Sequence, residues 1–191
     1  DRCDEGYTCL LRSTMEYAGR GHVELARFLL ARGADLNLCG PESSDLVCDY
    51  SPLHYACSYP MGSGAVAMVS LLLHAGAKSV LNTQCTSSAG HSVFPNCTPL
   101  GVLLHSFRTM QELGETSKFR AVLIMLLRAG ASLYNCSNKD TSAEDIMRDH
   151  VKNEHSPYYT RTFSDNEHYI ACREILAGVR EHGSYKRYLR A

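Results

Sequence analysis

The sequence predicts an all-α solenoid of stacked helix pairs joined by extended, hairpin-like fingers. Three observations carry that expectation. An apolar stripe closed by glycine recurs at residues 26–34 (ARFLLARGA), 69–77 (VSLLLHAGA) and 123–131 (LIMLLRAGA). A hydroxyl-led helix start precedes each stripe, at residues 8–11 (TCLL), 51–54 (SPLH) and 98–101 (TPLG), with a degenerate fourth at 141–143 (TSA). The composition, 45% hydrophobic and 20% charged over 191 residues, suits one core or one elongated array rather than a disordered chain.

Each unit opens with a short helix because a Ser or Thr hydroxyl caps otherwise orphaned N–H groups and proline is tolerated at the first helical position. The second helix follows from periodicity. Val23, Ala26, Leu29 and Leu30, and their counterparts Val66, Val69, Leu72 and Leu73, fall at i, i+3, i+6 and i+7 on one helical face. The closing glycine supplies a left-handed residue that stops the helix. An asparagine soon after it (Asn37, Asn82, Asn135) suits a turn into a finger. In the fourth unit a helix is expected from Thr141 to about His150, then an insertion over residues 151–162. A strong helix follows, with capping-box spacing from Ser164 to Glu167, a stripe of Tyr169, Cys172, Leu176 and Val179, and Gly183 as its stop.

These units resemble ankyrin repeats, whose consensus runs Thr-Pro-Leu-His, then Gly-His, then a Leu-Leu stripe ending in Gly-Ala-Asp-x-Asn. Residues 21–26 (GHVELA) and 33–37 (GADLN) match it closely. The resemblance implies about four divergent repeats, approximately 4–46, 47–93, 94–136 and 137–183, with 184–191 as a basic tail or the start of another element. The anchors at 8, 51, 98 and 141 are spaced by 43, 47 and 43 residues, against roughly 33 in an ordinary ankyrin unit. Anchor to glycine is 25 residues in the first two units and 32 in the third, so part of the excess lengthens the inner helix or the inter-helix connection. The rest lengthens the fingers, at 38–50 and 83–97, which are rich in Gly, Pro, Ser and Cys. The chain is expected to be a piece of a larger protein.

Nine cysteines (3, 9, 39, 48, 57, 85, 97, 136 and 172) are an odd number with no CxxC pair, and they read as reduced thiols of a cytoplasmic or nuclear protein, several in small-apolar positions. His54 and Cys57 lie one turn apart without an orienting third group, and the resemblance makes His54 a structural residue bonded to loop backbone. Cys85, His91 and Cys97, with Cys39 and Cys48, lack the short ligand pairs of a zinc site; a metal- or redox-responsive module is the alternative function they support. No cofactor, phosphate loop or hydrolase motif is expected. The acidic residues Asp140, Glu144, Asp145 and Asp149 read as a solvated helix face. Nineteen Lys and Arg against 20 Asp and Glu give no electrostatic drive toward nucleic acid. No apolar run approaches the roughly 20 residues of a membrane span.

Binding is therefore the expected function, of a protein or peptide partner on the concave face and without catalysis. By resemblance the contacting positions are Asp4, Glu5, Tyr7, Met15 and Glu16 in the first unit; Val47, Tyr50, Ser58 and Tyr59 in the second; and Phe94 and His105 in the third. Acids in the first unit and apolar groups beyond it suit a peptide with a basic end and aliphatic anchors. A role in targeting an enzyme in flanking sequence, such as a substrate receptor of a ubiquitin ligase, is the other alternative.

Overall fold

A computed structural model describes residues 8–14, 22–38, 50–58, 60, 64–85, 96–137, 140–152 and 166–191. The described residues form four helix pairs. The first is α1 (Cys9–Thr14) with α2 (Val23–Ala31), and the second is α3 (Pro52–Ser58) with α4 (Ala65–His74), which ends in a 3-10 turn at Ala77–Val80. The third unit holds α5 (Pro99–His105), α6 (Phe107–Glu112) and α7 (Thr116–Ala129); the fourth holds α8 (Ala143–Lys152) and α9 (Glu167–His182), followed by α10 (Tyr185–Tyr188). The inner helices α1, α3, α5 and α8 pack in succession, as do the outer helices α2, α4, α7 and α9. That serial stacking is the solenoid.

The helix starts behave as capping chemistry requires. The Thr8 hydroxyl accepts the Leu11 N–H at 3.1 Å, and Thr98, ahead of Pro99, accepts that of Gly101 at 3.2 Å. In the fourth unit the cap is Ser142 rather than Thr141: its hydroxyl takes the Asp145 N–H at 3.2 Å while the Asp145 carboxylate takes the Ser142 N–H at 3.3 Å. This reciprocal pair holds the Asp145 carboxyl below its ordinary range, the Ser142 hydroxyl being the main cause and Arg148 a smaller one. The stops also fall where the stripes place them, with Gly33, Gly76, Gly130 and Gly183 at φ of 84°, 110°, 102° and 73°, where a side chain would be strained.

Four details decide between or depart from the expectations. The surplus of the third unit goes into the inter-helix connection, the second of the two expected places, and there makes a separate helix, α6: the Ser106 hydroxyl donates to the Leu103 carbonyl at 2.7 Å, the chain turns, and Phe107, Met110 and Gln111 form a new buried face. Second, α9 is capped by Asn166, whose side-chain oxygen accepts the N–H groups of His168 (2.9 Å) and Tyr169 (3.1 Å); the expected cap, Ser164, lies outside the described residues. Replacing Asn166 with alanine is expected to cost about 1 kcal/mol, read as a lower midpoint in urea unfolding. Third, α8 runs on through Val151 and Lys152, so only 153–162 of the expected insertion lies outside the described residues. Fourth, the chain after Gly183 is helical and packed: Ser184 caps α10 by accepting the Arg187 N–H at 3.3 Å, Tyr185 is buried, and Tyr188 lies so close to Gly178 that a Cβ there would stand 2.3 Å from its ring.

The core is continuous from Leu10 to Tyr185. Its centre is aromatic, with Phe107 edge-on to Phe119 at 4.9 Å and tilted against Tyr169 at 5.9 Å. The Tyr169 hydroxyl donates to the Met147 carbonyl at 3.1 Å, which ties α9 to α8. A smaller cluster of Tyr50, Cys85, Cys97 and Val102, with Tyr55 against it, joins the second unit to the third.

Candidate interaction surface

Polar bonds between units hold the surface in register. Ser79 donates to the Asn37 side-chain oxygen at 3.0 Å, and the Asn82 oxygen accepts the Ser132 N–H at 2.8 Å. The Gln84 amide donates to the carbonyls of Asn135 (2.8 Å) and Ser137 (3.3 Å). The asparagines placed after each glycine as turn residues thus also bond from one repeat to the next, at Asn37 and Asn82, while Asn135 takes a left-handed φ of 55°.

His54 makes the deepest of these links. Its Nδ1 accepts the Ser51 amide N–H at 3.3 Å and lies 2.8 Å from the Ser51 hydroxyl. An amide can only donate, so Nε2 carries the proton and donates to the carbonyls of Thr83 (3.1 Å) and Cys97 (3.2 Å). Burial pushes its pKa down to about 4 against the favourable pull of those two carbonyls. Cys57, one turn away, is fully buried and its thiol is pushed up by burial alone. A neutral ring with both nitrogens engaged, beside a thiol kept protonated, is packing chemistry rather than a nucleophile and its base.

The third unit has glycine where the second has His54. The space is taken by backbone: Thr98 N–H donates to the Cys136 carbonyl at 3.0 Å, and a Cβ on Gly101 would stand 1.8 Å from that oxygen. Burial raises the thiols here as well, Cys97 to about 11 and Cys136 to about 12. Among the described residues no group of three His, Cys, Asp or Glu side chains is placed to hold a metal; His91, Cys39 and Cys48 lie outside them.

With the units registered, equivalent positions of α1, α3 and α5 form rows. Four residues past the anchor stand exposed Arg12 and half-buried Tyr55, the α5 equivalent Val102 being buried, and seven past it stand half-buried Ser58 and His105. The Ser58 hydroxyl donates to the Tyr55 carbonyl at 2.8 Å. Burial lowers His105 to about 4, with His150 acting in the same direction and Asp149 opposing it. Two of the three acidic residues of α8 are matched to bases, Asp145 with Arg148 at 2.8 Å and Glu144 with Arg180 at 2.5 Å.

An ankyrin-repeat family model matches residues 5–41 and 48–84. Over those residues the chain carries two ankyrin repeats. Its helical architecture is that of an all-α repeat solenoid, and ankyrin repeats are generally protein-interaction modules without catalysis of their own. No curated protein matches the chain. The third and fourth helical units lie beyond the matched residues, and they stack on the second by the same pairing of inner and outer helices.

Of the positions carried over by resemblance, Asp4, Glu5, Tyr7, Met15, Glu16, Val47, Tyr59 and Phe94 lie outside the described residues. Ser58 and His105 stand together in one row. Tyr50 does not belong on the surface: it is 5% exposed, its ring stacks on His54 at 5.5 Å and meets Tyr55 edge-on at 5.1 Å, so its face is spent on packing. Arg12 and Tyr55 take its place as candidates. Their common distance from the anchor was the signal that could have found them.

Proposed function

We propose that this ankyrin domain binds a protein or peptide partner along the rows that Arg12, Tyr55, Ser58 and His105 form on successive inner helices. The observation that carries the reading is that these side chains are solvent-accessible at equivalent positions while the residues between them are core. A partner laid across α1, α3 and α5 meets one cation, one aromatic ring and two small polar groups without disturbing the packing beneath. A cytoplasmic or nuclear setting belongs to the same proposal and is supported by the buried thiols. No helix among the described residues is long and apolar enough to cross a membrane, which agrees with a partner met in solution.

The test is capture from lysate by the intact chain beside two variants, Arg12→Glu/Ser58→Tyr in the rows and Tyr134→Ala on an exposed residue outside them, all shown by circular dichroism to fold. The row variant is expected to lose at least tenfold of the captured protein and the Tyr134 variant to retain it. Equal capture by all three would move the site off the inner helices.

A further inference from the structure

We propose that Cys85 and Cys97 are a disulfide-forming pair, a modification site held ready by the backbone that joins the second repeat to the third. Three sets of contacts bring the two residues together. The Cys85 N–H donates to the Cys97 carbonyl at 2.9 Å. In return, the Cys97 N–H lies 3.4 Å from the Cys85 sulfur, so that sulfur sits against the backbone of the other cysteine. His54 clamps the same two strands of chain from outside through the Thr83 and Cys97 carbonyls. The backbone bond and the amide–sulfur contact hold the two residues side by side, as a disulfide, which spans Cα atoms roughly 4.4–6.8 Å apart, requires.

The neighbours narrow the choice of partner. Cys136, the other thiol nearby, donates to the Ser132 carbonyl of its own loop at 3.3 Å while also lying within electrostatic reach of Cys97, which makes it the competitor that the experiment must exclude. The Cys97 sulfur donates to the Ser137 hydroxyl at 3.3 Å, a contact that a rotation about its side chain gives up. On both sides the chain is anchored, by Gln84 to the third repeat and by Thr98 as the cap of α5.

The reaction is exchange with a small disulfide such as glutathione disulfide. One protein thiolate attacks it and releases one glutathione, and the second thiol then displaces the other. Two protein thiols and one glutathione disulfide become one protein disulfide and two glutathione thiols, the protein losing two hydrogens and the oxidant gaining them. With exposures of 1% and 0% the two sulfurs react only through local opening, so the pair is set by equilibrium and not by fast attack.

The experiment equilibrates the full chain in glutathione buffers of increasing oxidising strength, quenches with acid, alkylates, digests and reads peptides by mass spectrometry. A peptide joining Cys85 to Cys97, two hydrogens lighter than the thiol pair and lost on treatment with dithiothreitol, is expected before any other link, together with a higher Tm of the oxidised form. Cys85→Ser is expected to abolish the link with the circular dichroism spectrum unchanged. Full alkylation of both residues in the most oxidising buffer would overturn the proposal. So would glutathione left on either residue without the link, or earlier joining of Cys85 to Cys48 or of Cys97 to Cys136.

Discussion

His54→Ala is expected to lower stability by about 3–4 kcal/mol at pH 7, measured as a fall in the urea midpoint at unchanged m. The ring is 2% exposed. Removing it takes the acceptor from the buried Ser51 N–H and the ring donor from the Thr83 carbonyl, the Cys97 carbonyl keeping the Cys85 N–H; a buried group left unsatisfied costs about 1–3 kcal/mol, and a cavity opens beneath Tyr50, whose ring stacks on His54. The loss is not local, since the two carbonyls belong to chain 29 and 43 residues away in sequence. Loosening of both limbs should show as faster amide exchange at Cys85 and Thr98 in the variant, which a purely local defect in α3 would not produce.

The same residue makes the penalty depend on pH, with a definite sign. An unfolded chain protonates His54 near 6.5, whereas the folded protein holds it neutral down to about 4. Between those values the unfolded state binds the extra proton, so stability is full above 6.5 and falls as pH drops through the window. A gap of that size corresponds to about 3 kcal/mol. The difference between the native chain and His54→Ala should therefore shrink by up to that amount from pH 7 to pH 4. His105 and His150, lowered chiefly by burial, steepen the acid loss of both proteins alike. A constant difference across the range would mean that His54 is not held neutral by the fold.

The repeat frame was legible because its signals are local. A glycine at the end of an apolar stripe, or a hydroxyl before proline, acts within one or two helical turns, and residues 26–34, 69–77 and 123–131 carry them in sequence order. What stayed hidden depends on which distant chain arrives. Tyr50 reads as an exposed loop aromatic until His54, Cys85 and Val102 close around it. Asn166 caps α9 through the N–H groups of His168 and Tyr169, and Tyr169 reaches Phe107 and Met147 from that turn. The helix α6 could not be told from a longer inner helix, since Phe107, Met110 and Gln111 suit either until the turn at Ser106 shows which core they enter. Arg12 and Tyr55 were visible in register, but an aromatic beside the anchor drew attention to Tyr50 instead.

Gly101→Ala is expected to destabilise the protein by about 3–5 kcal/mol, although alanine is the better helix former and α5 would gain about 1 kcal/mol in isolation. Local propensity and tertiary contact oppose each other here, and the contact wins. A methyl at residue 101 would lie 1.8 Å from the Cys136 oxygen and 2.8 Å from its carbonyl carbon, inside any tolerable separation, and the obstacle is backbone, which cannot rotate aside. The Cys136 carbonyl must retreat and release the Thr98 N–H it accepts at 3.0 Å, adding a buried unsatisfied donor to the overpacking. Thr98 also caps α5, so the strain passes into the helix that carries His105 and the third place in the proposed binding rows. Thermal unfolding followed by circular dichroism should show the drop, and Gly114→Ala, at a turn where a Cβ meets nothing within 4 Å and φ is 74°, provides the scale: its cost is backbone strain alone, about 1 kcal/mol. Equal Tm shifts for the two variants would mean that the Cys136 loop yields freely and that the third repeat does not need glycine in place of histidine.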